Sequence, residues 1–328
     1  MNTVSRKEEA PLLSPRERRD EVGSPPACGG TKGGRFVHCV ASLLIAAVLI
    51  EFCFGCGPKL PQETMTSGHA RIGASDAVFD LAWFLSREFQ GGNPAAFIDI
   101  RRAPARELVD SLLKNRSQEV FLDRTLTPPE TLALTRAGFK IYSYPVAYYP
   151  VYLAVAEANT VHSIDSTELR GVLLGTVSNW SQLGGTDMPL TLYLPLPGEG
   201  AWQSVMNYFG RLDSVAAVIC STSAAMLDSA KGDEGALLVW SKPLGDLPYR
   251  ALTFRWGGEE VRPTVKTILE EPRYPFHLDI TYVTTRNKTD VAAGYLTFAV
   301  SNLGQRRLMD ALRYRPASVP VRVIQMKQ

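Results

Sequence analysis

The sequence predicts an α/β protein built on mostly parallel sheets with helices on both faces. Three observations predict it. From Arg71 onward, short apolar runs alternate with segments of helical period. The connections between them are only a few residues long, the order expected when strands and helices wind through one sheet. The composition, 45% hydrophobic and 21% charged over 328 residues, is that of an ordinary folded chain able to bury a sizeable core.

The elements follow in order. Residues 71–74 read as a strand end and Ser75 or Asp76 as a helix N-cap. Val78, Leu81, Ala82, Leu85 and Phe89 then share one helical face, which Gly91, Gly92, Asn93 and Pro94 end. Residues 96–100 form a second strand, and Ala105, Leu108, Val109 and Leu112 mark a second helix. Residues 119–122 are a third strand, and Thr127, Pro128, Pro129 and Glu130 open a third helix with a capping box. The run 140–157 is β-prone and broken by Pro145 and Pro150, which suits a chain crossing in extended form between two lobes. Beyond it come a helix at 166–173, a strand at 190–194 and a helix with Trp202, Val205, Met206 and Phe209 on one face. A strand at 235–240 and helices at 263–269, 290–302 and 304–312 complete the pattern.

The amino terminus is an address. Residues 1–35 carry seven basic and five acidic residues among Pro, Gly and Ser, too little apolar surface to fold alone, so this tail is expected to be disordered. Lys32 and Arg35 precede an apolar run at 40–50. That run is short of the roughly 20 residues of a spanning helix and within the roughly 7 to 15 of a signal-peptide core. Its end, Gly55-Cys56-Gly57, resembles a bacterial lipoprotein signal, which makes Cys56 the lipidation site of a segment spanning 36–57. The alternative is one uncleaved anchor over 36–54 with the tail inside. Both readings tether the body to the membrane in the cell envelope, on the periplasmic or extracellular face.

Charge and side-chain inventory exclude several functions. The net charge is +2, and beyond the tail acidic and basic residues balance, so no nucleic acid is expected as a partner. Four of five cysteines lie in the first 56 residues and only Cys220 in the body, which excludes an internal disulfide framework and a cysteine metal site. His38, His69, His162 and His277 are far apart and show no metal-ligand spacing. No metal and no cofactor is expected. A Gly-x-Ser-x-Gly elbow and a His-centred dyad are both missing, so the chain does not read as an enzyme.

One segment carries a resemblance. Residues 166–185 end in Asn179-Trp180-Ser181-Gln182-Leu183-Gly184-Gly185. They resemble the helix and Asn-Trp-x-x-Leu-Gly-Gly turn of the phosphate-binding proteins of ABC transporters. The stretch from Asp123 and Arg124 to Glu130 is similar to that family's Ser-Arg-x-Leu-x-x-x-Glu segment, and Arg273-Tyr274-Pro275 to its Tyr-Pro turn. The likeness runs over about residues 68–325. It implies a type II periplasmic binding protein: two α/β lobes, a ligand cleft between them, and a transporter permease or sensor as partner. On this reading 58–70 is a linker, 71–148 the first part of lobe 1, 149–248 lobe 2, and 249–328 the return to lobe 1 with the C-terminal helices.

The ligand expected in that cleft is phosphate or another small polar anion or zwitterion. Helix N-termini present free N–H groups and partial positive charge, which is why loops entering helices hold anions. Four such loops supply the candidates. Ser75 is a donor and Asp76 an acceptor in the first, Arg102 and Arg106 flank the second, and Arg124 stands in the third. In the fourth, Gly198-Glu199-Gly200-Ala201-Trp202 replaces the family's Gly-Ser-Gly-Thr-Arg. Hydroxyl donors and an arginine are gone, and Glu199 repels an oxyanion. Each candidate also has an ordinary reading: Ser75 and Asp76 as caps, Arg124 paired with Asp123 or Glu130, Arg102 and Arg106 on a solvated face, Glu199 turned to water, Trp180 as packing. The functional alternative is a ligand-poor paralogue serving as an envelope interaction or sensor module. An anchored hydrolase is a third reading, with no recognisable catalytic set.

Overall fold

The computed structural model describes residues 63–210, 212–270 and 273–318. The tail at 1–35, the segment 36–57 with Cys56, and the first part of the 58–70 linker lie outside the described residues. Among the described residues no helix is long and apolar enough to cross a membrane.

The described chain opens with β1 (Gly68–Ala74), a 3-10 turn (Asp76–Val78), α1 (Phe79–Gly92), β2 (Ala96–Arg102), α2 (Ala105–Leu113), β3 (Glu119–Leu122) and α3 (Pro128–Arg136). It continues through β4 (Tyr142–Pro150), β5 (Tyr152–Ala156), β6 (Ser163–Asp165), α4 (Ser166–Leu174), β7 (Thr191–Pro195), α5 (Gly200–Phe209), β8 (Val218–Cys220), α6 (Ser223–Ser229) and β9 (Ala236–Trp240). Three strands follow, β10 (Tyr249–Ala251), β11 (Thr253–Trp256) and β12 (Glu259–Val261), then β13 (His277–Thr284), α7 (Val291–Val300), α8 (Asn302–Leu312) and β14 (Arg315–Pro316).

Local signals explain most of these elements. The expected apolar stripes are buried: Leu81, Ala82, Leu85 and Phe89 on α1, and Ala105, Leu108, Val109 and Leu112 on α2. The capping box of α3 is present, with Thr127 N–H donating to Glu130 Oε2 at 2.8 Å and Glu130 N–H to Thr127 Oγ1 at 3.4 Å. One expected helix does not form. Residues 263–269 form turns and no helix. There the Thr264 and Thr267 hydroxyls bond one another and nearby backbone, including the Arg262 carbonyl, and so compete with helical hydrogen bonds.

The two large sheets have the same wiring. The first runs β14-β4-β13-β3-β1-β2 and the second β10-β5-β9-β7-β8. In each, a central strand (β1 or β7) has parallel neighbours on both sides, β2 and β3 or β8 and β9. Beyond β3 lies antiparallel β13, and beyond β9 antiparallel β5. The expectation of mostly parallel sheets therefore holds only for the three-strand half of each. The other half is antiparallel, with β13 between β3 and β4 in the first sheet and β5 between β9 and β10 in the second. A small third sheet, β12-β11-β6, accompanies the second lobe, and α4 packs on it. The chain rejoins the first sheet only with β13.

Two segments cross between lobes side by side. Val151 N–H donates to the Phe276 carbonyl at 2.9 Å, and the Tyr274 hydroxyl donates to the Val151 carbonyl at 2.8 Å. One apolar cluster reaches from Ile72 and Leu81 in the first lobe through Val151 and Phe276 to Leu192 and Val205 in the second. Trp180 is fully buried and donates its indole N–H to the Gly235 carbonyl at 2.9 Å, a packing role.

Candidate functional site

The strand ends of both sheets meet where the lobes face each other, and the loops leaving them carry most of the expected residues. Ser75 follows β1 and is fully buried; its Oγ accepts the Asp123 N–H at 3.1 Å, and its own N–H donates to the Phe121 carbonyl at 3.0 Å. This ties the first and third loops into one body. Asp76 points across to the other lobe. Its Oδ2 accepts the Ser223 N–H at 2.9 Å and the Ser223 hydroxyl at 2.6 Å, while Oδ1 lies 3.2 Å from Arg102. Lys242 pairs with Asp80 at 2.9 Å and reaches within 3.8 Å of Asp76. Arg102 also covers the Phe79 ring at 4.2 Å, a cation–π contact.

The fourth loop makes the reverse crossing. Glu199 is the N-cap residue of α5 but makes no side-chain bond to its own helix. Its Oε1 instead accepts the N–H of Ala105, the first residue of α2, at 2.8 Å. That helix has Pro104 at its N-cap, which offers no capping side chain. The start of α5 is served from the first lobe: Asp123 Oδ2 accepts the Gly200 N–H at 2.8 Å. Only glycine fits there, since an added Cβ would stand 2.2 Å from the Asp123 carbonyl oxygen. Ala201 is buried beside it.

Arg124 is not left free to meet a solute. Its Nε donates to the Gly198 carbonyl at 2.6 Å, and its two terminal nitrogens grip the Glu130 carboxylate at 2.8 Å each. Gly198 presents that carbonyl from a φ of +99°, a conformation that favours glycine. Burial works against ionised Glu130, yet the Arg124 hydrogen bonds and charge hold its carboxyl below the ordinary range. Arg106 is exposed and lines an open groove of about 560 Å³ with Val109, Leu113, Trp202 and Met206, and of the other candidates Arg124 also lines it.

Asp76, Asp123 and Glu199 converge on one cavity of about 20 Å³, room for about one water molecule, shared with Ser223, Trp240 and Ser241. Asp123 Oδ1 and Glu199 Oε2 are buried there without a hydrogen-bond partner among the described residues. Burial and the neighbouring Asp123 charge push the Glu199 carboxyl up to about 8. Burial likewise raises Asp123, against the pull of the Gly200 N–H and Arg124. Among the described residues no His, Cys, Asp and Glu group is arranged to hold a metal ion. On the far side of Asp123 and Gly200, a polar groove of about 260 Å³ is lined by Gln203, Ser204, Asn207, His277 and Asp279.

Sequence reasoning missed part of this centre. Ser221, Thr222 and Ser223 before the apolar start of α6 are a helix-start signature that could have been read. Asp123 was visible only as a neighbour of Arg124. Nothing local marks Trp240, Ser241 or Lys242, which reach the site through the order of the second sheet.

Solved structures share the fold. A Clostridium perfringens protein assigned as a phosphate ABC transporter substrate-binding protein, with phosphate bound, superposes with a TM-score of 0.68 at 20% identity, over 76% of this chain and 100% of the other. An ABC-type phosphate transport receptor from Vibrio cholerae gives 0.60 at 18% identity, over 76% and 100%. A phosphate-binding protein from Stenotrophomonas maltophilia gives 0.57 at 12%, over 77% and 91%. Residues 61–302 match the PBP superfamily domain, and the chain belongs to that family.

Proposed function

We propose that this chain is an extracytoplasmic solute-binding protein of the ABC-transporter kind, tethered to the membrane by its N-terminal segment. It takes phosphate or another small polar anion or zwitterion between its lobes and hands it to a transporter or sensor without chemistry of its own. One observation carries the reading: at α2 and α5, helices from opposite lobes, the first backbone N–H already holds a carboxyl oxygen at 2.8 Å. Helix starts that hold carboxylate oxygen have the geometry and dipole to hold a solute oxyanion. The similarity to solved phosphate-binding proteins agrees with it. Calorimetric titration of the chain with phosphate, sulfate and a zwitterionic amino acid tests it, with saturable heat expected from at least one.

A second reading has its own support. The oxygens at those helix starts belong to Glu199 and Asp123, so the cleft satisfies its own donors, as a ligand-poor paralogue acting through its surface would. No saturable binding from any of the three solutes would favour it.

A further inference from the structure

We propose that Asp123 and Glu199 are the standing occupants of the helix starts in the cleft: they latch the two lobes together, and a solute oxyanion enters only by displacing them. The proposal rests on the solute-binding reading above and concerns the regulation of that same site.

The caps are exchanged. An ordinary N-cap side chain bonds the helix it begins, as Thr127, Asp165 and Ser301 do here. Glu199 instead reaches 94 residues along the chain to Ala105, and Asp123 reaches 77 residues to Gly200. Residues 199 and 200 therefore both bridge the lobes, one as acceptor and one as donor. Arg124 adds a third strap by taking the Gly198 carbonyl, and Ser75 fixes Asp123 from behind. Asp123 is 1% and Glu199 6% exposed, and each keeps one buried, unpartnered oxygen beside the cavity. Those oxygens are acceptors in a space of about one water molecule, so an oxyanion meets like charge as well as filled donors. Arg102 and Lys242 spend their charge on Asp76 and Asp80, and Arg124 on Glu130, which leaves none of them to offset the intrusion.

Solution X-ray scattering and calorimetry on the full chain, its Glu199→Ala variant and its Glu199→Gln variant test this, with inorganic phosphate as the probe. Before phosphate is added, Glu199→Ala is expected to have a larger radius of gyration than the parent; equal radii overturn the latch. Glu199→Gln keeps an oxygen acceptor for Ala105 and is expected to stay as compact as the parent, so a Gln variant as expanded as the Ala variant also overturns it. Glu199→Ala is expected to bind phosphate at least about tenfold tighter than the parent, because the Ala105 N–H is then open to a phosphate oxygen. Affinity no tighter than the parent's overturns displacement. If no form binds phosphate, the phosphate reading falls, and the latch stands or falls on the radii alone.

Discussion

The two lobes repeat one wiring scheme, and their loops exchange contacts almost as mirror partners. The acid after the central strand of each lobe reaches the helix that follows the parallel edge strand of the other: Asp76 after β1 holds the start of α6, and Glu199 after β7 holds the start of α2. A base after a strand of each lobe reaches the other lobe: Arg124 after β3 takes the Gly198 carbonyl, and Lys242 after β9 pairs with Asp80 in the first turn of α1. The symmetry breaks at one position. Asp123 follows β3 where Ser241 follows β9. The first lobe thus brings one extra carboxylate, and it lies beside Glu199. Asp76 has Arg102 and Lys242 for company, whereas among the described residues the Glu199–Asp123 pair has Arg124, whose charge is engaged by Glu130. The difference teaches that a repeated topology fixes where loops meet, while a single side chain decides whether their charges balance.

Breaking the contact outright has the largest expected effect. Gly200→Ala puts a Cβ 2.2 Å from the Asp123 carbonyl oxygen and 2.8 Å from its Cγ. Separation of the lobes and a loss of about 1–3 kcal/mol in denaturant unfolding are expected. Unchanged stability would mean that the lobes do not meet at this glycine.

Acidity sharpens the comparison next. The Glu199 carboxyl is raised from 4.5 to about 8, so the folded protein keeps a proton that the unfolded chain releases. Its contribution to stability is fully present below about pH 4.5, declines as pH rises towards 8, and levels off above. Asp123, also raised, acts with the same sign, while Asp76, Arg102, Lys242, Arg124 and Glu130 are the charged groups around the pair. Asp123→Asn keeps an acceptor for Gly200 and removes the extra charge. Unfolding measured from pH 5 to 9 should lose about 1–4 kcal/mol in the parent and clearly less in this variant. Equal slopes would remove Asp123 as the cause.

The smallest effect belongs to a contact inside one lobe. Arg255 pairs with Asp165 at 3.3 Å and with Glu168, and about a third of its side chain is exposed. Arg255→Ala should cost no more than about 1 kcal/mol and leave the pH slope unchanged. A changed slope would tie the small third sheet to the cleft.

The first β-α-β-α-β-α run was legible because each element carries its own signal: period, cap, and a stop at Gly or Pro. β13 was missed although Leu278, Ile280 and Tyr282 alternate, because its partners, β3 and β4, lie more than a hundred residues earlier in the chain. The sequence reading also turned back to the first lobe at 249, whereas β10 still pairs with β5 and β11 with β6. At the site, the departure of the fourth loop was readable from Glu199, but its direction was not. Whether a glutamate meets water or a helix start from the other lobe depends on closure, which no local pattern encodes.

Exchanged caps make secondary structure a reporter of lobe position. If the lobes part, the amides of Ala105 and Gly200 lose carboxylate partners that their own helices do not replace. The Ser223 amide loses Asp76 in the same way, although Thr222 still holds the Ala225 amide of α6 from within. Hydrogen exchange at Ala105 and Gly200 would therefore rise together on opening while the amides of helix interiors stay protected. Two residues far apart in sequence would act as one clock for the cleft.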